Sequence, residues 1–340
     1  MILDHLARLT DARGIVEHAD GARPARRFGY CTDDAGRLLG LVAALPPNLA
    51  TRRLALAAVG FLEAARSESE VFRLRRIGDD WTDDQPSDDA TGRALQGLAG
   101  GAHAPWADVR RRSRALLESV GSFTSPFARA SAHVVLAAVT LLERDPTDPV
   151  GRRLLDDGAS GLPEAGRDTR WPWPEPRLTY ANALLPEALL AGAHARGDAS
   201  GAERALRLLA WLVVEETRGD HFSFVPATGR GPRERGPAFD QQPIEAWAMA
   251  DAATRAWRLT GDPHWAEVVR MARAWFAGRN DVGITVGDVA TGAGFDGLRR
   301  DGVNHNQGAE STMAFVATCW RAAQVSGRAG PRVLVEGGVA

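Results

Sequence analysis

Apolar residues recur at three- and four-residue spacing through nearly the whole chain, as in "TRRLALAAVGFLEAARS", "WADVRRRSRALLESV", "GAERALRLLAWLVVEET" and "DPHWAEVVRMARAWFAG". Such spacing marks helices that bury one face. Between them lies a second set with less charge and more alanine: "TDDAGRLLGLVAAL", "SDDATGRALQGLAG", "SPFARASAHVVLAAVTLL", "TYANALLPEALLAGAHA", "DQQPIEAWAMADAATRAWRL" and "NQGAESTMAFVATCWRAA". A helix apolar round most of its circumference is a buried one, whereas an arginine-studded helix is peripheral. The pattern therefore predicts about six inner helices alternating with about six outer ones, at a period of roughly 40 to 65 residues. Strand-like alternation is nearly absent. "HFSFVP" and "GITVGDV" are the only candidates, and both are short enough to be loop hairpins.

The expected fold is all-α, an (α/α)6 toroid of six helical hairpins whose inner helices run parallel, with the outer ones antiparallel to them. All inner helix starts then gather at one mouth of the ring. That explains why "GYCTDDAGRLL" and "PSDDATGRALQGL" resemble each other, since each opens an inner helix at the same face. An open α-solenoid also alternates helices with turns, but its repeats are regular in length. Here the lengths are irregular, and the long insertions precede inner helices, as loops that build a site would. "TGRGPRERGPAF" reads as a long loop because helical periodicity resumes on both sides of it. Residues 1–330 are expected to form a single toroid domain, with 331–340 as a C-terminal tail.

Composition narrows the chemistry. The 340 residues are 44% hydrophobic and 25% charged, enough for a large core, so disorder is excluded. A formal net charge of -2, with arginines scattered and no aromatic-interleaved basic stripe, argues against nucleic acid and anionic membrane. "MILDHLARLTDARG" has no apolar leader, and no run approaches the ~18 apolar residues of a membrane span, so the expected location is cytoplasmic. Cys31 and Cys319 are too few for a disulfide framework or a thiolate metal site. Every cationic side chain is arginine. The absence of lysine removes Schiff-base chemistry, pyridoxal phosphate attachment and a Walker A lysine together. "HARGD" and "DPHW" are ordinary turns, so neither a metal nor a cofactor is expected.

What remains is a constellation of carboxylates, amides and aromatics at the helix starts. It comprises Tyr30, Asp33 and Asp34; Asp88 and Asp89; Tyr180 and Asn182; Asp240, Gln241, Gln242 and Glu245; and Asn304, Asn306, Gln307 and Glu310. "RWPWPEP" adds Trp171, Trp173 and Glu175, and other loops add Trp81 and Asp296. Sugar CH faces stack on aromatic rings, and sugar hydroxyls pair with carboxylates and amides, so an oligosaccharide or glycan is the natural ligand. Each element has a plainer reading. Thr32 and Ser87 followed by acids are good N-caps, as are Asp240 and Asn306. Trp171 and Trp173 also suit a core, and His133 suits a buried helix. Glu310, about a turn inside an apolar helix, needs a partner or a purpose.

The motifs "GYCTDD", "SDDATGRAL", "WPWPE", "LTYANALLPEALL", "FDQQPIEA" and "GVNHNQGAEST" resemble the six-hairpin glycosidase superfamily. They are most similar to a largely uncharacterised group within it, described as glycosyltransferases or glycosidase-like proteins. The resemblance covers nearly the whole chain and implies a glycosyltransferase as a partner. The group's pattern carries acids where this chain has Pro176 and Ala181, and an amide after the "TDD" motif where it has Ala35. Those departures point to a changed substrate or a weakened site.

The expected function is an inverting glycoside hydrolase. Inversion needs a protonated carboxyl and a water-activating carboxylate about 6.5 to 9.5 Å apart. Glu175, flanked by Trp and Pro, suits the acid, whereas Asp33, Asp34 and Asp240 sit near helix N-termini that favour the ionised base. Glu310 suits either role. A sugar epimerase or isomerase is the alternative, but it wants paired bases, and His305 is the only histidine in a mouth motif. A non-catalytic glycan-binding partner of a glycosyltransferase is the third reading.

Overall fold

The computed structural model describes residues 3–67, 71–82, 87–166 and 168–327. The tail expected at 331–340 lies outside the described residues. Two compact units divide the chain, Leu6–Leu162 and Pro163–Ala340 with Met1–His5. A short helix, α1 (Asp4–Leu9), opens it.

The first unit is three helical hairpins: α2 (Thr32–Ala44) with α3 (Leu49–Ala65), α4 (Asp88–Gly101) with α5 (Ala107–Ser119), and α6 (Ala128–Leu142) with α7 (Pro149–Ser160). α2 packs on α4 and α4 on α6, so the alanine-rich helices form the inner row as their composition requires. These helices approach to backbone contact. A Cβ on Gly36 would stand 2.5 Å from the Arg93 carbonyl oxygen, and one on Gly97 would stand 2.2 Å from that of Gly36. Only glycine permits that approach. Gly36 faces Arg93 and Gly97 while Gly40 faces Gly97, so α2 and α4 run in the same direction. Asp88 and Gln96 of α4 bond Ser125 and His133 in the same order, so α6 is parallel to them too.

Four of the outer helices start with side-chain caps, and α5 does not. Asn48 forms a capping box with Thr51, and Asp148, Asp198 and Asp262 each accept a backbone N–H of the following turn. Each such cap contributes about 1 kcal/mol.

The second unit holds α8 (Leu184–Ala195) with α9 (Ala199–Glu215), α10 (Pro243–Thr260) with α11 (Pro263–Phe276), and α12 (Ala309–Val325). α10 packs against both α8 and α12. Half-buried ion pairs tie these helices: Arg255 Nε donates to Glu187 Oε1 at 3.1 Å, and Arg321 Nε donates to Asp251 Oδ1. Burial pushes the Glu187 carboxyl up to about 7 in spite of the Arg255 charge. Phe224, Trp275, Phe276 and Phe315 make a chain of ring contacts 5.1 to 5.5 Å apart, the aromatic centre of this unit's core.

Two departures from the sequence reading have local causes. The stretch from Thr179 was expected to be helical, but α8 begins at Leu184, because Ala181 adopts φ 45° and breaks helical geometry there. "HFSFVP" and "GITVGDV" do enter hairpins, at His221–Phe222 and Gly287–Asp288, yet further short pairs exist. Tyr30–Cys31, Arg75–Ile77 and Asp80–Trp81 form a three-stranded sheet, and Gly297–Arg299 pairs with Gly302–Asn304. At two or three residues each, they are too short for alternation to reveal. Among the described residues no helix is long and apolar enough to cross a membrane.

Candidate active site

In the first unit the repeated aspartates form local ion pairs at the helix starts. Arg37 Nη1 donates to Asp33 Oδ2 at 2.9 Å and to Asp34 Oδ1 at 2.7 Å, and the Cys31 thiol donates to Asp34 Oδ2 at 2.9 Å. The same four-residue spacing recurs in α4, where Arg93 Nε donates to Asp89 Oδ2 at 3.3 Å. Asp88 accepts the Ser125 hydroxyl at 2.6 Å, tying the start of α4 to the segment before α6. Ser87 caps α4 through Ala90 N–H, whereas the Thr32 hydroxyl donates to the Arg73 carbonyl instead. Asp34 is buried at 2% exposure. Burial alone would raise the Asp33 carboxyl, but the Arg37 charge, the Cys31 thiol and the Arg93 charge outweigh it and hold the group below its ordinary value.

Cys31, Asp33 and Asp34 place one donor atom each within 4.8 Å of one another. A cation there would have to displace the Arg37 guanidinium. Burial and the charges of Asp33 and Asp34 also push the Cys31 thiol well up, which keeps it protonated. The donor set does not fit a metal. Nearby, His133 is the core histidine its helix suggests, 2% exposed with Nδ1 at 2.7 Å from Gln96 Oε1. Burial and the charges of Arg93, Arg37 and Arg129 push it well below its ordinary value.

The second unit holds the candidates from Trp171 onward. The Tyr180 phenol donates to Glu310 Oε2 at 2.6 Å, across 130 residues of sequence. Glu310 lies in the first turn of α12. Glu245 is 3% exposed and accepts three N–H groups, from Ala181 (2.5 Å), Asn182 (3.0 Å) and the Asn182 side chain (3.0 Å). Asp240 stands 3.5 Å from Arg299 Nε, and its Oδ1 is buried without a hydrogen-bond partner. Asn304 and Asn306 both donate to Asp296 Oδ2, at 3.3 and 3.1 Å. Gln241 is fully buried, bonded to Asp281 Oδ2 at 2.7 Å and accepting the Trp275 indole N–H at 3.2 Å. Gln242 precedes α10 without capping it through its side chain, and the Gln307 carbonyl accepts from His5 Nε2 at 2.8 Å. His305 is exposed, its ring edge-on to Phe295.

The aromatics divide sharply in exposure. Tyr30 is 2% exposed with its hydroxyl on Asp11, and Trp81 packs on Phe61 under the Arg73 guanidinium. Trp173 is 2% exposed and stacked on Trp211 at 6.3 Å. Trp171 stands edge-on to the same ring and is only half-buried, with its indole N–H on the Glu175 carbonyl at 3.1 Å. Trp171 is thus the tryptophan of its loop with surface left for a ligand.

No family model and no curated protein sequence matches the chain. Solved structures do. A sugar epimerase from a ruminal bacterium superposes with a TM-score of 0.69 at 12% identity, covering 93% of this chain and 95% of its own. Cellobiose 2-epimerase from Bacillus thermoamylovorans gives 0.67 at 13%, covering 93% and 95%. An α-mannanase of glycoside hydrolase family 76 from Bacteroides thetaiotaomicron gives 0.63 at 11%, covering 96% and 95%. The fold is an (α/α)6 toroid, the one these three structures share.

Sequence reasoning gave Arg37 and Arg93 no role in the site, and it placed Asp296 in a mouth loop without its partners. For the arginines a signal was available, since each stands four residues after an aspartate at a helix start. The pairing of Asp296 with Asn304 and Asn306 gave none, because it depends on the hairpin that joins them.

Proposed function

We propose that this protein is a carbohydrate-active enzyme, an inverting glycoside hydrolase acting on an oligosaccharide or glycan fragment. The observation that carries the reading is the Tyr180 to Glu310 hydrogen bond at 2.6 Å. A carboxylate at a helix N-terminus, oriented by a phenol, has the two supports that a water-activating base needs, namely charge stabilisation and fixed direction. In this reading Glu310 activates water, Glu175 protonates the leaving oxygen, and Trp171 with Asn304 and Asn306 receives sugar rings and hydroxyls. Asp240 is the reserve acid. Association with a glycosyltransferase rests on the sequence resemblance alone and is not part of the proposal.

The test compares two substrates. Glu175→Gln removes the proton donor and lowers turnover of a glycan with a poor leaving group by about 10²-fold or more, while an activated aryl glycoside suffers much less. Glu310→Gln lowers both alike. The anomer released, read by proton NMR within minutes of mixing, must be inverted. Full activity of Glu310→Gln overturns the assignment.

A sugar epimerase is the second reading, favoured by neighbours that carry that activity. It requires exchange of carbon-bound hydrogen. Incubating free reducing sugars in deuterated water separates the two, because a hydrolase leaves those positions unlabelled.

A further inference from the structure

Glu245 was expected to meet sugar, yet it is 3% exposed and its carboxylate accepts three N–H groups of the loop that precedes α8. At its C-terminal end Leu184 and Leu185 N–H donate to the Ala181 and Asn182 carbonyls at 3.0 and 3.2 Å, but the Ala181 and Asn182 N–H groups are held only by Glu245. Ala181 sits at φ 45°, and the Asn182 side chain folds back to accept Thr179 N–H at 2.9 Å. Tyr180 lies between these anchored residues, and its phenol is what reaches Glu310.

We propose that Glu245 is a positioning residue: by clamping Ala181 and Asn182 it fixes the loop that aims Tyr180 at Glu310. The inference rests on reading Glu310 as the catalytic carboxylate, but its geometry can be tested without turnover. An ionised Glu245 suits the task, since a carboxylate with three N–H donors is strongly stabilised. Its neighbour Glu216 is 1% exposed, and burial together with the Glu245 charge pushes Glu216 well above its ordinary value. Both effects favour the protonated form of Glu216 beside the Glu245 carboxylate. Glutamine at 245 keeps the shape but turns an NH2 group toward N–H donors, which loosens the clamp without opening a cavity.

The chain has two tyrosines, so protein labelled with 3-fluorotyrosine gives two fluorine lines, and Tyr30→Phe assigns them. Glu310→Gln replaces a charged acceptor by a neutral one and moves the Tyr180 line. If Glu245 positions the phenol, the same Glu310→Gln change made in a Glu245→Gln background moves that line by less than half as much, while the Tyr30 line stays in place and reports an intact fold. Asn182→Ala, which removes one clamp bond and the Thr179 bond, gives a reduced displacement too and decides the matter alone if Glu245→Gln does not fold. An undiminished displacement in these backgrounds overturns the proposal, as does a Tyr180 line that ignores Glu310→Gln in the wild type. Absence of turnover on any glycan, with the fluorine coupling intact, instead overturns the hydrolase reading and leaves the positioning role standing.

Discussion

Ala181 adopts φ 45° although it has a side chain, a conformation that costs an L-residue roughly 1–2 kcal/mol. The group that the sequence motifs resemble carries an acid here. Such a side chain tolerates the left-handed region better than alanine does. Ala181→Gly removes the strain but loses a buried methyl, so its expected effect is a stabilisation of roughly 0.5–1 kcal/mol, read as a higher urea midpoint. Trp173 tests burial at the same scale. Its indole is 2% exposed on Trp211, so Trp173→Ala is expected to cost about 3–5 kcal/mol in stability, whereas Trp171→Ala costs much less and falls mainly on glycan affinity. Denaturation curves of the two variants, beside binding isotherms, separate these outcomes. Which aromatics lie near helix starts was legible in the sequence. Their exposure was not, because it depends on Trp211, some 40 residues away on α9.

At the scale of elements, the inner and outer classes were readable because charge and alanine content sort with burial. The glycines carry the remaining information. Gly97 faces the backbone of Gly36, and a Cβ there would lie 2.2 Å from a carbonyl oxygen that cannot move without shifting α2. Gly60 on α3 is the contrast, since its added Cβ would meet only the tip of Arg112 at 3.4 Å. Gly97→Ala is therefore expected to destabilise by about 1–3 kcal/mol through overpacking. Gly60→Ala should stabilise by about 0.5–1 kcal/mol through helix propensity. Thermal midpoints moving in opposite directions would bear this out, and a neutral Gly97→Ala would refute backbone contact between α2 and α4. From the sequence these positions look alike, since both are glycines within apolar helical runs. Only the partner helix distinguishes them.

For the whole molecule, buried groups with displaced proton affinities set how stability follows pH. His133 is held neutral, so below its ordinary value of 6.5 the unfolded chain binds a proton that the fold refuses, and stability falls as the medium becomes acidic. Glu216 acts in the other direction. It stays protonated in the fold, so above its ordinary value of 4.5 the unfolded chain releases a proton that the fold retains, and stability falls as pH rises. Glu187, pushed up to about 7, adds to that fall between 4.5 and about 7. Each group contributes a slope of about 1.4 kcal/mol per pH unit within its window. His103, which burial also holds below its ordinary value, acts with His133, so two groups oppose two between pH 4.5 and 6.5. Single variants isolate the contributions. Glu216→Gln should gain on the wild type as pH rises above 4.5, and His133→Gln should gain as pH falls below 6.5, each by at most about 1.4 kcal/mol per pH unit. Urea denaturation of the three proteins from pH 4.5 to 8 measures the differences. A Glu216→Gln curve parallel to that of the wild type would mean that Glu216 ionises within the fold beside Glu245, against the protonated state that its burial and the Glu245 charge impose.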